Sequence, residues 1–214
     1  VTTTHRGAFV TLDGPAGVGK TTTARLLREY LVGTYGYQVC ATTEPTPETL
    51  GHIARHNTDT YRGHTLACLV AADRYHHLET AVRPHLAEGV IVVCDRYVAS
   101  SYVLQCMDGV PLPFVEAINA AADVPDLAVI LQAPPEVTAA RVAARGAHDR
   151  FHTGEESSRR ESELYEKAAE RLARWRYPVL AVDTAGASPD KIAAYLADRI
   201  ADMVEGPAAE VASA

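Results

Sequence analysis

Eight residues, Gly14-Pro15-Ala16-Gly17-Val18-Gly19-Lys20-Thr21, constrain the fold of this chain more than any other stretch. They match G-x-x-x-x-G-K-[ST], a loop whose glycines let the backbone turn tightly and aim successive N–H groups at one point. The β-rich run Ala8-Phe9-Val10-Thr11-Leu12 precedes the loop. Ala24, Leu27 and Leu31 follow it at helical spacing. Strand, loop and helix in that order form an anion cradle, because the helix aims the positive end of its dipole at the loop. Lys20 adds a point charge suited to β- and γ-phosphates, and Thr21 offers a hydroxyl to Mg²⁺. The expected ligand is a nucleoside triphosphate, ATP or GTP, held with Mg²⁺ by Gly14, Ala16, Gly17, Val18, Gly19, Lys20 and Thr21.

The rest of the chain continues the alternation. Gln38–Thr42, Val90–Cys94, Leu127–Leu131 and Val179–Val182 read as strands. Val90–Cys94 and Leu127–Leu131 are apolar throughout, as strands buried on both faces of a parallel sheet are. Helical patterns lie between them: Pro47–His56, a long one over Gly63–Glu88, Pro134–Ala144 and Pro189–Val204. The expected fold is α/β with three layers, a parallel β-sheet flanked by helices, in the P-loop NTPase architecture with a short lid. With 214 residues the chain is expected to form a single domain over 1–205. Its lid falls near 146–160, a polar stretch of mixed charge, and the small-residue tail 206–214 is expected to be disordered.

A formal charge of −7 excludes a general basic coat for nucleic acid, while leaving room for local arginines aimed at phosphate. No apolar run approaches the length of a membrane span. Val1–Arg6 has no apolar segment of the kind a secretory leader carries. Cys40, Cys68, Cys94 and Cys106 form no C-x-x-C pair and read as reduced core thiols. The expectation is a cytoplasmic protein with no nucleic acid or membrane partner.

Asp95-Arg96-Tyr97 follows the apolar run Val90–Cys94, which puts Asp95 at the carboxyl end of a strand, where open α/β sheets place ligands. A carboxylate there suits Mg²⁺ and an arginine suits phosphate. Taken together, the loop, Thr42-Thr43-Glu44-Pro45, Ala71-Ala72-Asp73-Arg74, Asp95-Arg96-Tyr97, Arg145-Gly146 and Asp149-Arg150-Phe151 resemble the thymidylate kinases, among the nucleoside monophosphate kinases. The resemblance runs from about Phe9 to the last helix. It implies transfer of the ATP γ-phosphoryl group to a pyrimidine nucleoside monophosphate, dTMP first among them. It also implies that Lys20, Thr21 and Thr22 hold the donor phosphates and that Asp95 organises the metal. Arg96 would hold the acceptor phosphate, Arg74 the base, Arg145 the adenine, and Arg150 would close from the lid. Glu44, Val70, Ser101, Leu104 and Gln105 would line the acceptor pocket. The family also implies a homodimer, with the Gly63–Glu88 helix as its face.

The departures from that family cluster on the acceptor side. Ala16 stands at a usually acidic loop position, and Thr43 where an arginine usually precedes Glu-Pro. Val70 stands where an aromatic usually stacks on thymine, and Leu104 where some members have a tyrosine near the sugar. Tyr102 offers an aromatic from another angle. Two alternatives follow: a kinase for a different or modified pyrimidine nucleotide, and a nucleotide-binding scaffold or switch without turnover. His64, His76 and His77 read as ordinary helix histidines, and Glu155, Glu156, Glu161 and Glu163 as a solvated lid and helix face.

Overall fold

The computed structural model describes residues 6–145 and 154–206. Strands β1 (Ala8–Asp13), β2 (Val39–Thr43), β3 (Ile91–Asp95), β4 (Leu127–Gln132) and β5 (Val179–Asp183) form one sheet in the order β2-β3-β1-β4-β5. Every pairing is parallel. The helices are α1 (Lys20–Gly33), α2 (Thr49–His56), α3 (Gly63–His77), α4 (Arg83–Ala87), α5 (Val98–Met107), α6 (Leu112–Asn119), α7 (Pro135–Arg145), α8 (Glu155–Arg174) and α9 (Pro189–Glu205).

The apolar strands are apolar because each feeds two cores. Ala8, Val10, Leu12, Ile91, Val93, Val129 and Leu131 face one side, against α1 and α9. Phe9, Val92, Cys94 and Ile130 face the other, against α5 and α8. Side chains alternate across a strand, so a strand between two layers has no polar face. β1 and β3 are buried along their whole length, while the edge strands β2 and β5 are only half-buried.

The long helix read over Gly63–Glu88 is helical almost throughout but not uniform. A wide π-turn at Leu78–Val82 separates α3 from α4. Pro84 explains it: proline has no N–H to give the carbonyl four residues back, and its ring crowds that carbonyl. The core-thiol reading holds for Cys94 but needs correction elsewhere. All four cysteines are free, yet Cys40 and Cys106 are half-buried and Cys68 is exposed on α3. A helix turns a linear apolar run outward once per turn, and Cys68 sits on that outer side. Residues 155–160, read as part of a polar lid, are the opening turns of α8. Residues 146–153 of that stretch, including Arg150, and the tail 207–214 lie outside the described residues.

Strand order reverses beside β1, which leaves a crevice at its carboxyl end. Asp13 sits there, 1% exposed. Its Oδ1 accepts hydrogen bonds from Tyr97 N at 3.0 Å, Ser100 N at 3.0 Å and Ser100 Oγ at 2.6 Å. Asp13 thus satisfies the first amides of α5, which no residue of its own helix caps. Burial lifts the Asp13 carboxyl above its usual range, and the hydrogen bonds from Ser100 and Tyr97 pull it back down. Replacing Asp13 by Ala strands these donors inside the protein. Urea denaturation of Asp13→Ala should show a loss of about 2–4 kcal/mol; a loss under about 0.5 kcal/mol would mean α5 needs no such cap.

Candidate active site

A cleft of about 950 Å³ opens at the carboxyl ends of β1, β2 and β3. One end is the glycine loop. Gly14 has φ 143° and a Cβ there would lie 2.4 Å from Leu131 O; Gly17 has φ 80° and a Cβ would lie 2.6 Å from Thr138 O. Both conformation and space therefore require glycine. Ala16, Gly17, Gly19, Lys20, Thr21 and Thr22 line the cleft. Gly14 packs against Leu131 beneath the loop, and the Val18 side chain belongs to the α1–α9 core.

The N-cap of α1 is Gly19, which makes no side-chain cap, so among the described residues the first amides of the helix are available to an anion. Lys20 is 6% exposed, and its Nζ donates to Gly14 O at 2.6 Å and Pro15 O at 2.9 Å. Burial, then the nearby Arg96 charge, push the Lys20 ammonium down to about 7. Thr21 Oγ1 donates to Asp95 Oδ2 at 2.5 Å. Asp95 Oδ1 is buried with no hydrogen-bond partner among the described residues. A hydroxyl and a half-satisfied carboxylate side by side are the hard oxygen donors that fit Mg²⁺.

Arg96 takes a left-handed conformation, φ 77°, unusual for a residue with a side chain. Its N–H is fixed by Leu12 O at 2.9 Å, and its carbonyl accepts from the Cys94 thiol at 3.1 Å. Its Nη1 approaches Ser100 Oγ at 3.5 Å. The backbone is thereby held so that Arg96 lines the cleft.

The other end of the cleft is built on Arg74, which is 1% exposed. Its Nε donates to Glu44 Oε2 at 2.7 Å, and its Nη1 donates to Ser101 Oγ at 3.0 Å and to Asn119 Oδ1. The guanidinium carbon lies 5.0 Å from the centre of the Tyr97 ring. Its Nη2 has no hydrogen-bond partner among the described residues. Leu66, Val70 and Ala54 form the apolar wall, and Ser101, Leu104 and Gln105 line the cleft from α5.

Glu44 is fixed a second time by His77 Nδ1 at 3.0 Å, and His77 Nε2 lies 2.8 Å from Thr42 Oγ1. Ligand atoms of Glu44, His77 and Cys94 lie within 4.8 Å of one another. All three are engaged in hydrogen bonds, so they form a closed network rather than a metal centre. His77 is accordingly a satisfied core histidine.

Two sequence readings need correction. Tyr102 does not line the cleft; it packs with Val110, Val115 and Cys106 against α6. Glu161 is not on a solvated face. It is 1% exposed, and its Oε2 accepts the Ala16 N–H at 3.1 Å. One helical turn on, Tyr165 Oη lies 2.9 Å from Ser100 Oγ. The signal was present: Ser158, Glu161, Tyr165, Ala168 and Leu172 recur at three- and four-residue spacing and form the buried stripe of α8. A glutamate within that stripe disguised it. Arg55, on α2, is a further missed residue; it lines the cleft near Arg96. The Arg145 side chain and all of Arg150 lie outside the described residues.

A family model described as thymidylate kinase matches residues 12–187. The chain belongs to the thymidylate kinase family. A protein named "Probable thymidylate kinase" from Pyrococcus horikoshii is 36% identical over 181 residues, covering 80% of this chain and 87% of that one. A "Probable thymidylate kinase" from Pyrobaculum aerophilum is 33% identical over 200 residues, covering 92% and 98%. A "Thymidylate kinase" from Clavibacter sepedonicus is 40% identical over 153 residues, covering 68% and 71%. Among the described residues no helix is long and apolar enough to cross a membrane.

For a kinase of this family the Lys20 environment has a measurable signature in the free protein. Lys20 ionises near 7 when folded against the ordinary 10.5 when unfolded. Between those values the unfolded chain binds the extra proton, so stability rises with pH. Urea denaturation of nucleotide-free protein from pH 6.5 to 9 should show that rise, at up to about 1.4 kcal/mol per pH unit. Lys20→Met should abolish it; an unchanged slope in the variant would assign the rise to other groups.

Proposed function

We propose that this chain transfers the γ-phosphoryl group of ATP to dTMP, giving ADP and dTDP, with Mg²⁺ as the metal. Family membership carries the reading, and the juxtaposition of Lys20, Thr21, Asp95 and Arg96 in one cleft supports it. Phosphoryl transfer needs alignment and positive charge around the equatorial oxygens more than covalent help. An acceptor phosphate is already a nucleophile, so no strong base is required. Lys20 and the α1 amides would hold the donor phosphates. Thr21 and Asp95 would hold Mg²⁺, which neutralises phosphate charge when bound. Arg96, pinned through its backbone, would orient the acceptor phosphate in line. The free Nη2 of Arg74 would donate to a carbonyl oxygen of the base, because its other nitrogens are already committed to Glu44, Ser101 and Asn119. Arg145 over the adenine and Arg150 closing on the transferred group remain part of this proposal through the resemblance.

The open side of Val70 and Leu104 keeps a second acceptor reading worth testing. ADP release from Mg-ATP should be measured with dTMP, dUMP, UMP, dCMP, CMP and 5-substituted analogues. We expect dTMP to lead, and Asp95→Asn to lower kcat by at least about 100-fold. A ribo- or modified pyrimidine monophosphate ahead of dTMP would favour the reshaped-acceptor reading. No turnover with any acceptor, despite ATP binding, would favour the scaffold.

We also propose that the chain acts as a homodimer. Thr65, Cys68, Ala72 and His76 form an exposed stripe along α3. Small side chains there permit the close approach of a second helix. Sedimentation velocity should give a dimer mass at micromolar concentration, and Ala72→Arg should give a monomer. A wild-type monomer at these concentrations would remove the dimer from the proposal.

A further inference from the structure

We propose that His77 of α3 is a positioning residue for the acceptor base, acting through Glu44 on Arg74. The inference rests on the reading of Arg74 as the base ligand and goes beyond it by naming what aims that ligand. Arg74 and His77 stand three residues apart on α3, so both project from one face of the helix, and both are buried. Glu44, just past the end of β2, is pinched between them. Its Oε2 accepts from Arg74 Nε at 2.7 Å, and its Oε1 lies 3.0 Å from His77 Nδ1. An ionised carboxylate can only accept, so Nδ1 is the donor in that pair. Thr42 orients the imidazole in turn, with its Oγ1 2.8 Å from Nε2. The backbone at Glu44 is held as well, since its N–H donates to Asp95 O at 3.0 Å. Thr42, Glu44 and Arg74 line the cleft, and His77 is not among the described residues that do. Any effect of His77 on a ligand therefore passes through Glu44.

The effect is one of aim. A guanidinium is a rigid planar fork. Ser101 and Asn119 both hold Arg74 through Nη1, and a fork held at one nitrogen can pivot about it. The Nε bond to Glu44 is the second point that fixes the plane, and with it the direction of Nη2. That point is only as steady as the Glu44 carboxylate, whose terminal torsion is intrinsically soft. His77 takes the second carboxylate oxygen and stops the turn. Glu44 is 2% exposed, so solvent offers little in place of a lost donor.

Three variants separate the two ends of the imidazole. His77→Asn places an amide nitrogen where Nδ1 lies and keeps the bond to Glu44. His77→Gln reaches the Nε2 position and keeps only the bond to Thr42, and His77→Leu keeps neither. In steady-state kinetics His77→Leu and His77→Gln should raise KM for dTMP by about 10- to 100-fold and leave KM for ATP within about twofold, while His77→Asn recovers most of the loss. Parallel rises in both KM values, or equal KM values for His77→Asn and His77→Gln, would overturn the proposal and leave His77 a packing residue. The orientation can also be read without any substrate, in nucleotide-free protein carrying 15N-labelled arginine. The Arg74 Nε–H should exchange slowly with solvent in the wild type and in His77→Asn, and fast in His77→Gln and His77→Leu. Equal exchange in all four proteins would overturn the proposal as well. If dTMP is not the acceptor, or nothing is turned over, the thymidylate reading falls by itself while the order of exchange still decides the role of His77.

Discussion

One carboxylate, sealed between β1 and α5, sets the position of nearly everything at the carboxyl edge of the sheet. Asp13 takes the Tyr97 and Ser100 amides and the Ser100 hydroxyl. Ser100 in turn meets Tyr165 of α8 and the Arg96 guanidinium. The same residue that ends the central strand therefore fixes the helix carrying Ser101, Leu104 and Gln105, and the helix carrying Glu161. An aspartate buried this deeply is tolerable only because each contact is a directed donor. Shifting β1 by one residue would turn Asp13 into the core and break all of them at once.

The electrostatics of the cleft follow from that scaffold. Lys20, Arg96 and Arg55 converge on one space, while the carboxylates near them are committed elsewhere. Asp13 holds α5, Glu44 holds Arg74 and His77, and Glu161 holds the glycine loop. Asp95 accepts the Thr21 hydroxyl through Oδ2 and keeps its buried Oδ1 without a hydrogen-bond partner among the described residues. Asp13, Glu44 and Glu161 thus serve the architecture, while Lys20, Arg55 and Arg96 line the cleft. A chain of net charge −7 can thus present a locally cationic site.

Legibility in the sequence followed how local each feature is. The glycine loop, Lys20, Thr21 and Asp95-Arg96 are short patterns whose meaning is carried by neighbours in the chain, and they were readable. So were the strands, since a strand buried on two faces needs an unbroken apolar run. Glu161 was not, because its charge hid it within an amphipathic stripe and its partner Ala16 is 145 residues away. Arg55 was not, because nothing near it in sequence distinguishes it from a surface arginine. Its meaning comes from Thr43, Pro45 and Arg96, which only the β2–β3 pairing brings together. The π-turn before Pro84 was legible in principle, since the proline forbids a regular turn there, but helical periodicity on either side concealed it.

Small side chains and a rigid donor together decide what the acceptor end can discriminate. Val70, Leu66 and Ala54 offer an apolar wall without an aromatic plane, so on the proposed function stacking would contribute little there. An apolar wall distinguishes poorly between bases that differ by a methyl group, whereas a buried hydrogen-bonding group left unpaired by the wrong ligand discriminates strongly. Arg74 is such a group. Glu44 holds its Nε, Ser101 and Asn119 hold its Nη1, and the Tyr97 ring lies over its face. It cannot rotate to suit a different base without breaking those contacts. On the proposed function, selectivity at this end would come from whether a base presents an acceptor oxygen to a fixed nitrogen, and far less from the shape of the wall around it.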